Sequence, residues 1–226
     1  MSQTSIAHEF AIGHAMHTAQ WAGVRYSREI TTQRMVRNDR PEANQSALDE
    51  GAMCEVLVDG HFGYAATADL SEAGLQRAFD RALATTSATS PYKVHAFSTD
   101  QRPCATGSYR SLRQTDLEHT GLAAITDCLL AASSAMQVSD LIVNRSASAM
   151  IVQTQIDFYS SNGSRTHQSF DMVDITLSAT ALQGLQSQTR TWSRTGQFGG
   201  EVFDRAEFEQ EAERTAREAL ELVRIE

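Results

Sequence analysis

Four residues near the N-terminus are of the types that bind a catalytic metal. They are His8, Glu9, His14 and His17, and histidine with glutamate is a common ligand set of hydrolytic zinc sites. Such a site needs about three protein ligands and an open position for water. On one helix, His8 and His14 would point about 240° apart, whereas His14 and His17 would share a face. The spacing favours an amphipathic helix that carries histidines, and a self-contained hydrolase is the weaker alternative.

Other catalytic patterns are missing from the sequence. There is no G-x-S-x-G segment, and the glycines around His61, in GHFG, lack the lysine of a phosphate-binding loop, so this segment favours a tight hairpin. The acidic run over 207–218 indicates a solvated helix face with nearby arginine partners. The sequence therefore nominates no catalytic, cofactor-binding or metal-binding residue.

The clearest structural elements lie in residues 51–83, where a strand, a turn and a helix follow one another. The alternation of Cys54, Val56 and Val58 predicts a strand with one buried face, and Asp59-Gly60 predicts the turn after it. Asp69 and Glu72 have the spacing of a capping box. An apolar stripe at helical spacing then predicts a helix over about 70–85. The stripe consists of Leu75, Ala78, Phe79, Ala82 and Leu83.

This block, together with the strand before it, resembles the N-terminal domain of the TldD/PmbA family of bacterial and archaeal metallopeptidases. In that family a strand such as AEVRY precedes GVGVRVLVDG, which is followed by GFASTNDLS and a helix. Two residues depart from the pattern, because the family often has an acid at the position of Gly23 and an arginine at that of Glu55. The matching residues are Val24 to Tyr26, Gly51, Val56 to Gly60, Gly63, Tyr64, Thr67 and Asp69 to Ser71. The turn at Ser161-Asn162-Gly163 and the last helix extend the resemblance more weakly.

The resemblance implies a division of labour between two domains. In relatives, a C-terminal domain holds zinc through an H-E-x-x-x-H motif and a distant cysteine, and this sequence lacks that motif. The chain would then be a cytoplasmic N-terminal domain over 1–226, without a cofactor of its own and without the catalytic domain. It would supply architecture, contacts in a homo- or heterodimer with a TldD/PmbA-type chain, and guidance of unfolded peptides. Whether it is an enzyme by itself stays open.

Composition limits the classes of partner and the compartment. The chain has 226 residues, of which 41% are hydrophobic and 21% charged, so it can bury a sizeable core. A formal net charge of -9 disfavours nucleic acid and anionic membrane surfaces as partners. No apolar run approaches 18 residues and no signal-peptide pattern begins the chain. The three cysteines, Cys54, Cys104 and Cys128, are widely spaced and predict reduced thiols.

The order of elements predicts two related halves. They span about 20–87 and 115–225, with an irregular connection over 88–114 that holds two of the three prolines. The predicted fold class is α+β: an antiparallel sheet covered by helices, with each β-rich half closed by an amphipathic helix. Both closing helices follow an Asp-x-x-Glu cap. The strands are predicted near 21–30, 32–36, 44–58, 61–67, 140–147, 149–160, 166–182 and 186–194, and a long helix over about 116–136.

Arg190, Trp192 and Arg194 share one face of a predicted strand. An exposed tryptophan between arginines is typical of an interaction anchor, whereas a tryptophan packed under the last helix with arginines beside it is the favoured interpretation. The polar alternation over 180–194 also suits a standalone, non-catalytic module that pairs by strand addition with a catalytic partner or a peptide. That module is the alternative to the architectural domain.

Overall fold

The computed structural model describes residues 11–225, in which helical residues 11–15 precede the first strand. Short 3₁₀ helices lie at Ser90–Tyr92, Thr99–Gln101 and Gly200–Val202. The strands are β1 (Trp21–Arg37), β2 (Arg40–Val58), β3 (His61–Thr67), β4 (Thr106–Arg110), β5 (Ile142–Ser160), β6 (Arg165–Gln183) and β7 (Gln186–Gly196). The helices that follow are α1 (Glu72–Thr89), α2 (Leu117–Thr120), α3 (Leu122–Ala135) and α4 (Arg205–Ile225).

Within the described residues the strands form one seven-stranded sheet. Its order is β3-β2-β1-β5-β6-β4, and β7 pairs with β6 beside this path. The β2–β3 hairpin pairs Val58 with His61 across Asp59-Gly60, whose backbone φ angles of 49° and 73° fit the turn that two-residue hairpins favour. The predicted tight hairpin at His61 is confirmed. The α+β fold class is confirmed too, with the short β4 as a parallel exception against β6.

The chain divides into two compact units that interleave along the sequence. Unit 1 comprises residues 11–29, 48–110 and 154–169, and unit 2 comprises 30–47, 111–153 and 170–225. Strands β1, β2, β5 and β6 therefore each contribute residues to both units. The predicted repeat of 20–87 and 115–225 stays a prediction. The two units are defined by contacts, and such a division does not show whether two segments are related to each other.

Unit 1 buries one side of α1 against its strands. The helix contributes Leu75, Ala78, Phe79 and Ala82, all of them predicted in the apolar stripe, and Leu83 is half-buried beside them. Burial also raises the pKa of the Cys54 thiol to about 12, which makes it inert at neutral pH. The strand residues in this core are Ala22, Val24, Ala52, Cys54, Val56 and Val58.

Unit 2 buries the alternate residues of β6 under α3 and α4. Every second residue from Val173 to Ala181 is buried, as the sequence predicts, while the intervening polar residues are half-exposed. The inward residues predicted for the long helix are buried as well, although Gly121, at a φ angle of 72°, separates α2 from α3. They are Leu117, Ile125, Cys128, Leu129 and Met136.

Several predicted boundaries and faces were wrong. The predicted breaks near residues 31 and 148 do not exist, since β1 and β5 run on through half-exposed polar stretches. Alternation in the sequence predicts Met150, Val152, Ile156 and Phe158 on the buried face of β5, but Met150 is exposed and Val152 half-buried, whereas Ala149 and Ile151 are buried. Hydrophobic residues lie on both faces of β5, so alternation alone did not indicate the buried one. The short strand in the connection is β4, rather than the segment near 92–97.

The two predicted helix caps differ in outcome. Asp204 caps α4 as predicted, since its Oδ1 accepts from the Glu207 backbone N–H at 2.9 Å. Asp69 does not cap α1, because the N-cap is Ser71, whose hydroxyl accepts from Gly74. Asp69 instead accepts from the Ser71 backbone and side chain. No helix within residues 11–225 is both long and apolar enough to cross a membrane, and Cys54, Cys104 and Cys128 are free thiols, as predicted.

The Glu201 side chain connects two segments of unit 2 by hydrogen bonds, one at residues 114–115 and one at residue 199. Its carboxylate accepts from the backbone N–H groups of Gly199 at 2.9 Å, Thr115 at 3.0 Å and Gln114 at 3.2 Å. Burial alone would raise the pKa of Glu201, but these backbone donors outweigh it and lower the pKa below its ordinary value. The ionised form is therefore the one that stabilises the fold.

We expect Glu201→Gln to lower the free energy of unfolding by about 1 kcal/mol at pH 7, since charge-assisted hydrogen bonds to a half-exposed group are of this order. A group whose pKa is lowered on folding contributes fully above its unfolded pKa and loses the contribution as pH falls through the folded pKa. The difference between wild type and variant in urea denaturation should therefore shrink below about pH 4. A difference that is constant from pH 7 to pH 3 would contradict this role.

Candidate interaction site

The histidines considered as metal ligands do not assemble a zinc site. His14 Nε2 lies 2.9 Å from Asp80 Oδ1, with both side chains largely exposed, and His17 is exposed. His8 and Glu9 lie outside the described residues. Among residues 11–225 there is no group of three or more histidine, cysteine or acidic side chains close enough to hold a metal. The donors present in this part of the chain do not fit a catalytic zinc, which needs about three protein ligands.

Strand β2 contains a long stretch of exposed residues. Its pairing with β3 begins at Ala52, so residues 40–51 have a neighbouring strand only in β1 among the described residues. All side chains from Arg40 to Asp49 are exposed except the half-buried Ala43. We call residues 40–51 the β2 edge, which is about 40 Å long at roughly 3.3 Å per residue. An edge of this kind offers unpaired N–H and C=O groups to another strand.

The β2 edge lacks most of the features that protect an edge strand. Natural edges are usually blocked by lysines, prolines, inward charges or bulges. Here a proline occurs only at Pro41, and residues 43–48, with the sequence ANQSAL, carry no charge. Leu48 is 57% exposed although it lies in a regular strand. An exposed edge with an uncharged central stretch over 43–48 favours pairing with another chain.

A cleft of about 530 Å³ lies in unit 1 where the pairing of β2 with β3 stops. Arg25, Ser27 and Glu29 line it from β1, and Ala66 and Thr67 line it from β3. The β2 lining consists of Asp49, Glu50, Gly51, Ala52 and Met53. Because both charge signs and an open strand backbone meet there, the cleft can bind an extended peptide through main-chain and polar contacts.

Two polar pairs link strands of unit 1. The Tyr26 hydroxyl of β1 donates to Glu50 of β2, and His167 Nδ1 of β6 lies 2.6 Å from Asp157 Oδ1 of β5. Burial, with Glu50 as hydrogen-bond acceptor, raises the pKa of Tyr26 to about 12. Tyr26 therefore stays protonated and acts as a donor at neutral pH. These pairs join strands and do not create a metal site.

Part of the chain matches the model of a known protein family. The model for PmbA/TldA metallopeptidase domain 1 matches residues 22–86, which include β2, β3 and most of α1. Residues 22–86 are therefore similar to the first domain of the PmbA/TldA metallopeptidases. The β2 edge and the lining of the cleft both lie within the matched residues. No curated protein sequence matches the chain.

Solved structures share the fold of this TldD/PmbA-type chain. A proposed modulator of DNA gyrase from Thermotoga maritima aligns at a TM-score of 0.75 and 16% identity, over 97% of this chain and 48% of that one. A proposed modulator of DNA gyrase from Bacteroides thetaiotaomicron aligns at 0.72 and 17% identity, over 96% and 50%. TldE from Thermococcus kodakarensis aligns at 0.65 and 12% identity, over 95% and 47%. The chain thus spans about half the length of these relatives.

The face of β7 that contains Trp192 is covered by the last helix of the TldD/PmbA-type chain. Trp192 is half-buried against the core of unit 2, Arg190 Nη2 lies 3.0 Å from Glu218 and Arg194 Nη1 lies 2.8 Å from Glu207. The favoured interpretation, a tryptophan packed under the helix, is confirmed, and Trp192 is not an exposed anchor. Two members of the acidic run, Glu207 and Glu218, therefore have arginine partners on the strand, and Glu218 also pairs with Arg214 of its own helix.

The exposed part of β2 was not predicted from the sequence. A strand was predicted over 44–58, but only the alternating residues from Cys54 to Val58 were considered. The signal that could have revealed the edge is the lack of alternation over 43–48, because a strand that packs on neither face needs no apolar period. In this TldD/PmbA-type domain, the match to the family and the unpaired edge fall on the same strand.

Proposed function

We propose that this chain is the N-terminal architectural domain of a TldD/PmbA-type zinc metallopeptidase. It pairs with a second copy of itself or a related chain along the β2 edge, guides unfolded peptides and does not cut them alone. In this proposal the zinc belongs to the C-terminal domain of full-length relatives, and the assembly works in the cytoplasm.

The observation that carries the proposal is the β2 edge. A free edge can add an antiparallel strand, and the same edge of a second copy satisfies it with twofold symmetry. Each strand then fills the hydrogen bonds of the other, and Leu48 of each copy gains an apolar neighbour. The cleft at Gly51 lies next to this edge along the chain. This position supports guidance of peptides through hydrogen bonds to the strand backbone rather than through a deep, specific pocket.

The chemistry of the described donors supports a non-catalytic role. Hydrolysis of a peptide bond by a metal requires a held ion, a base and an open ligand position. His14 is engaged by Asp80 and His167 by Asp157, each as one histidine with one acid. Neither arrangement supplies the third ligand. The standalone interaction module, which would bind a catalytic partner or a peptide by strand addition over 180–194, stays a prediction.

Light scattering after gel filtration tests the pairing. We expect the wild-type chain, of 24.8 kDa, to have twice that mass at about 50 µM. Asn44→Lys with Leu48→Lys should weaken dimerisation at least about tenfold, since lysines on an edge oppose strand pairing. The matched control is Ser187→Lys with Ser193→Lys, which adds the same charge to exposed positions of β7 and should leave the mass doubled.

Two outcomes would contradict the proposal. A wild-type chain that stays monomeric at this concentration has no self-pairing edge. Equal loss of dimer in the β2 and β7 variants would show that net charge, rather than the β2 edge, governs association. Circular dichroism spectra of both variants establish that they keep the wild-type fold.

A further inference from the structure

An arginine side chain of unit 1 is held in a box of aromatic and acidic residues. The guanidinium carbon of Arg102 lies 4.5 Å from the centroid of the Phe62 ring and 5.9 Å from that of Trp21. Its Nε donates to Glu55 Oε1 at 3.1 Å, and its Nη2 also pairs with that oxygen. Tyr64 adds its hydroxyl at 3.4 Å from Nη2. We call Trp21, Glu55, Phe62 and Tyr64 the guanidinium box.

The walls of the box belong to the sheet and not to the segment that supplies the arginine. Trp21 lies on β1, Glu55 on β2, and Phe62 and Tyr64 on β3. Phe158 of β5 stacks against Trp21 with ring centroids 6.4 Å apart. All five of these residues belong to strands, whereas Arg102 lies outside them. The box therefore combines walls built by the sheet of unit 1 with a guanidinium from a connecting segment.

The acid at the bottom of the box requires a cation. Glu55 is 6% exposed, and a buried carboxylate without a positive partner is costly. The hydrogen bond to Glu55 also raises the pKa of Arg102. The buried Trp21 Nε1–H has no acceptor, so one polar group of the wall is left unsatisfied by the chain itself. Glu55 thus needs a cationic partner, which Arg102 supplies, whereas the Trp21 Nε1–H needs a hydrogen-bond acceptor that the chain does not supply.

The segment that carries Arg102 is attached by few contacts. Residues 93–101 are all exposed, and Val94 is fully so. The Phe97 backbone donates to Gly60 at 2.8 Å, its ring lies 5.5 Å from that of Phe62, and Asn162 donates to the Arg102 carbonyl at 2.7 Å. We call residues 93–102 the strap. The interactions of its arginine are ones that any arginine side chain can make.

We infer that the guanidinium box is a binding site for an arginine side chain of an extended peptide, and that Arg102 is its internal competitor. A planar guanidinium can stack on Phe62 while it donates to Glu55, which a lysine ammonium cannot reproduce. A peptide also brings carbonyl oxygens, and these could serve as the acceptor that the Trp21 Nε1–H lacks within the chain. The choice of a peptide as ligand rests on the proposed function, whereas the recognition of a guanidinium rests on the box alone.

The competition sets the size of the expected effect. A tethered arginine acts at an effective concentration of the order of millimolar. Removal of Arg102 should improve binding of an added guanidinium by one plus the ratio of this effective concentration to the dissociation constant, which is about twofold when both are in the low millimolar range. The strap then behaves as a plug that an arginine-bearing segment displaces.

Tryptophan fluorescence measures this exchange directly. The chain has two tryptophans, so Trp192→Phe leaves Trp21 as the single reporter. In this background we expect Arg102→Ala to show a saturable change with N-acetyl-arginine amide in the low millimolar range, about twofold below the concentration that Arg102 protein needs. N-acetyl-lysine amide should give no saturable change. Adding Glu55→Gln should abolish the response, and adding Glu72→Gln, at an exposed acid of α1 in unit 1, should leave it unchanged.

Equal responses to the arginine and lysine probes would overturn the inference, as would equal affinity with and without Arg102. If Arg102→Ala unfolds, Arg102→Gln keeps the side-chain stem and serves as the second variant. The probe is too small for strand addition, so its binding does not depend on the β2 edge. Failure here with an intact dimer leaves the proposed function standing, and loss of the dimer with intact probe binding leaves the box standing.

Discussion

Replacement of Phe79 by alanine is expected to lower the free energy of unfolding by about 3 to 5 kcal/mol, the range for aromatic truncation in a closed core. Phe79 is fully buried and lies in the middle of the apolar stripe of α1, which packs on Val24, Cys54 and Val56. The truncation leaves a cavity that a regular sheet cannot close by collapse, since its strand spacing is fixed by ladder hydrogen bonds.

Urea denaturation followed by circular dichroism gives the value for Phe79. The matched variants are Phe79→Leu, for which we expect about 1 kcal/mol because most of the volume is kept, and Leu112→Ala, at a residue that is 92% exposed, for which we expect less than about 0.5 kcal/mol. If Phe79→Ala cost no more than Leu112→Ala, the core of unit 1 would not lie beneath α1.

Replacement of Asp171 by alanine is expected to cost about 3 kcal/mol. Asp171 is 2% exposed on β6 and pairs with Arg113, whose side chain is also mostly buried. Gln153 donates to the same carboxylate at 3.3 Å, and the Asp171 backbone donates to Ser111 at 3.1 Å. Removal of the acid leaves the arginine buried with only Asp116 as an acidic partner, so the loss falls at the lower end of the range for a broken buried pair.

Two variants separate the ion pair of Asp171 from its packing. Asp174→Ala removes a half-exposed acid from the same strand and should cost less than about 1 kcal/mol. The double variant Arg113→Met with Asp171→Leu removes both charges, and apolar replacement of a buried pair is often neutral, so we expect most of the stability to return. A double variant as unstable as Asp171→Ala would mean that shape, rather than uncompensated charge, causes the loss.

The elements predicted correctly are those whose pattern of apolar residues matches the face that is buried in the structure. The stripe of α1, the alternation from Val173 to Ala181 and the cap at Asp204 each follow from contacts within one element and one packed face. The Asp59-Gly60 hairpin followed for the same reason, since a turn of this kind depends on two residues.

What the sequence did not predict depends on partners far away along the chain. The polar stretch after Tyr26 was interpreted as a break, although neighbouring strands hold β1 in a continuous ladder through it. Glu55 meets Arg102, and Arg113 meets Asp171, only because the sheet places them together. The exposure of β2 likewise follows from where β3 stops, and the lack of alternation over 43–48 indicates only that this stretch packs on neither face.

Hydrogen–deuterium exchange of the β2 backbone tests the central claim most directly, namely that this domain pairs with another chain along residues 40–51. Amide exchange is compared at about 1 µM and about 100 µM protein, with β7 as the second edge strand of the same molecule. The account predicts that protection rises with concentration over 40–51, that 186–196 does not change, and that Asn44→Lys with Leu48→Lys removes the rise. Protection that does not depend on concentration over 40–51, in a chain that does dimerise, would place the interface elsewhere and contradict the account.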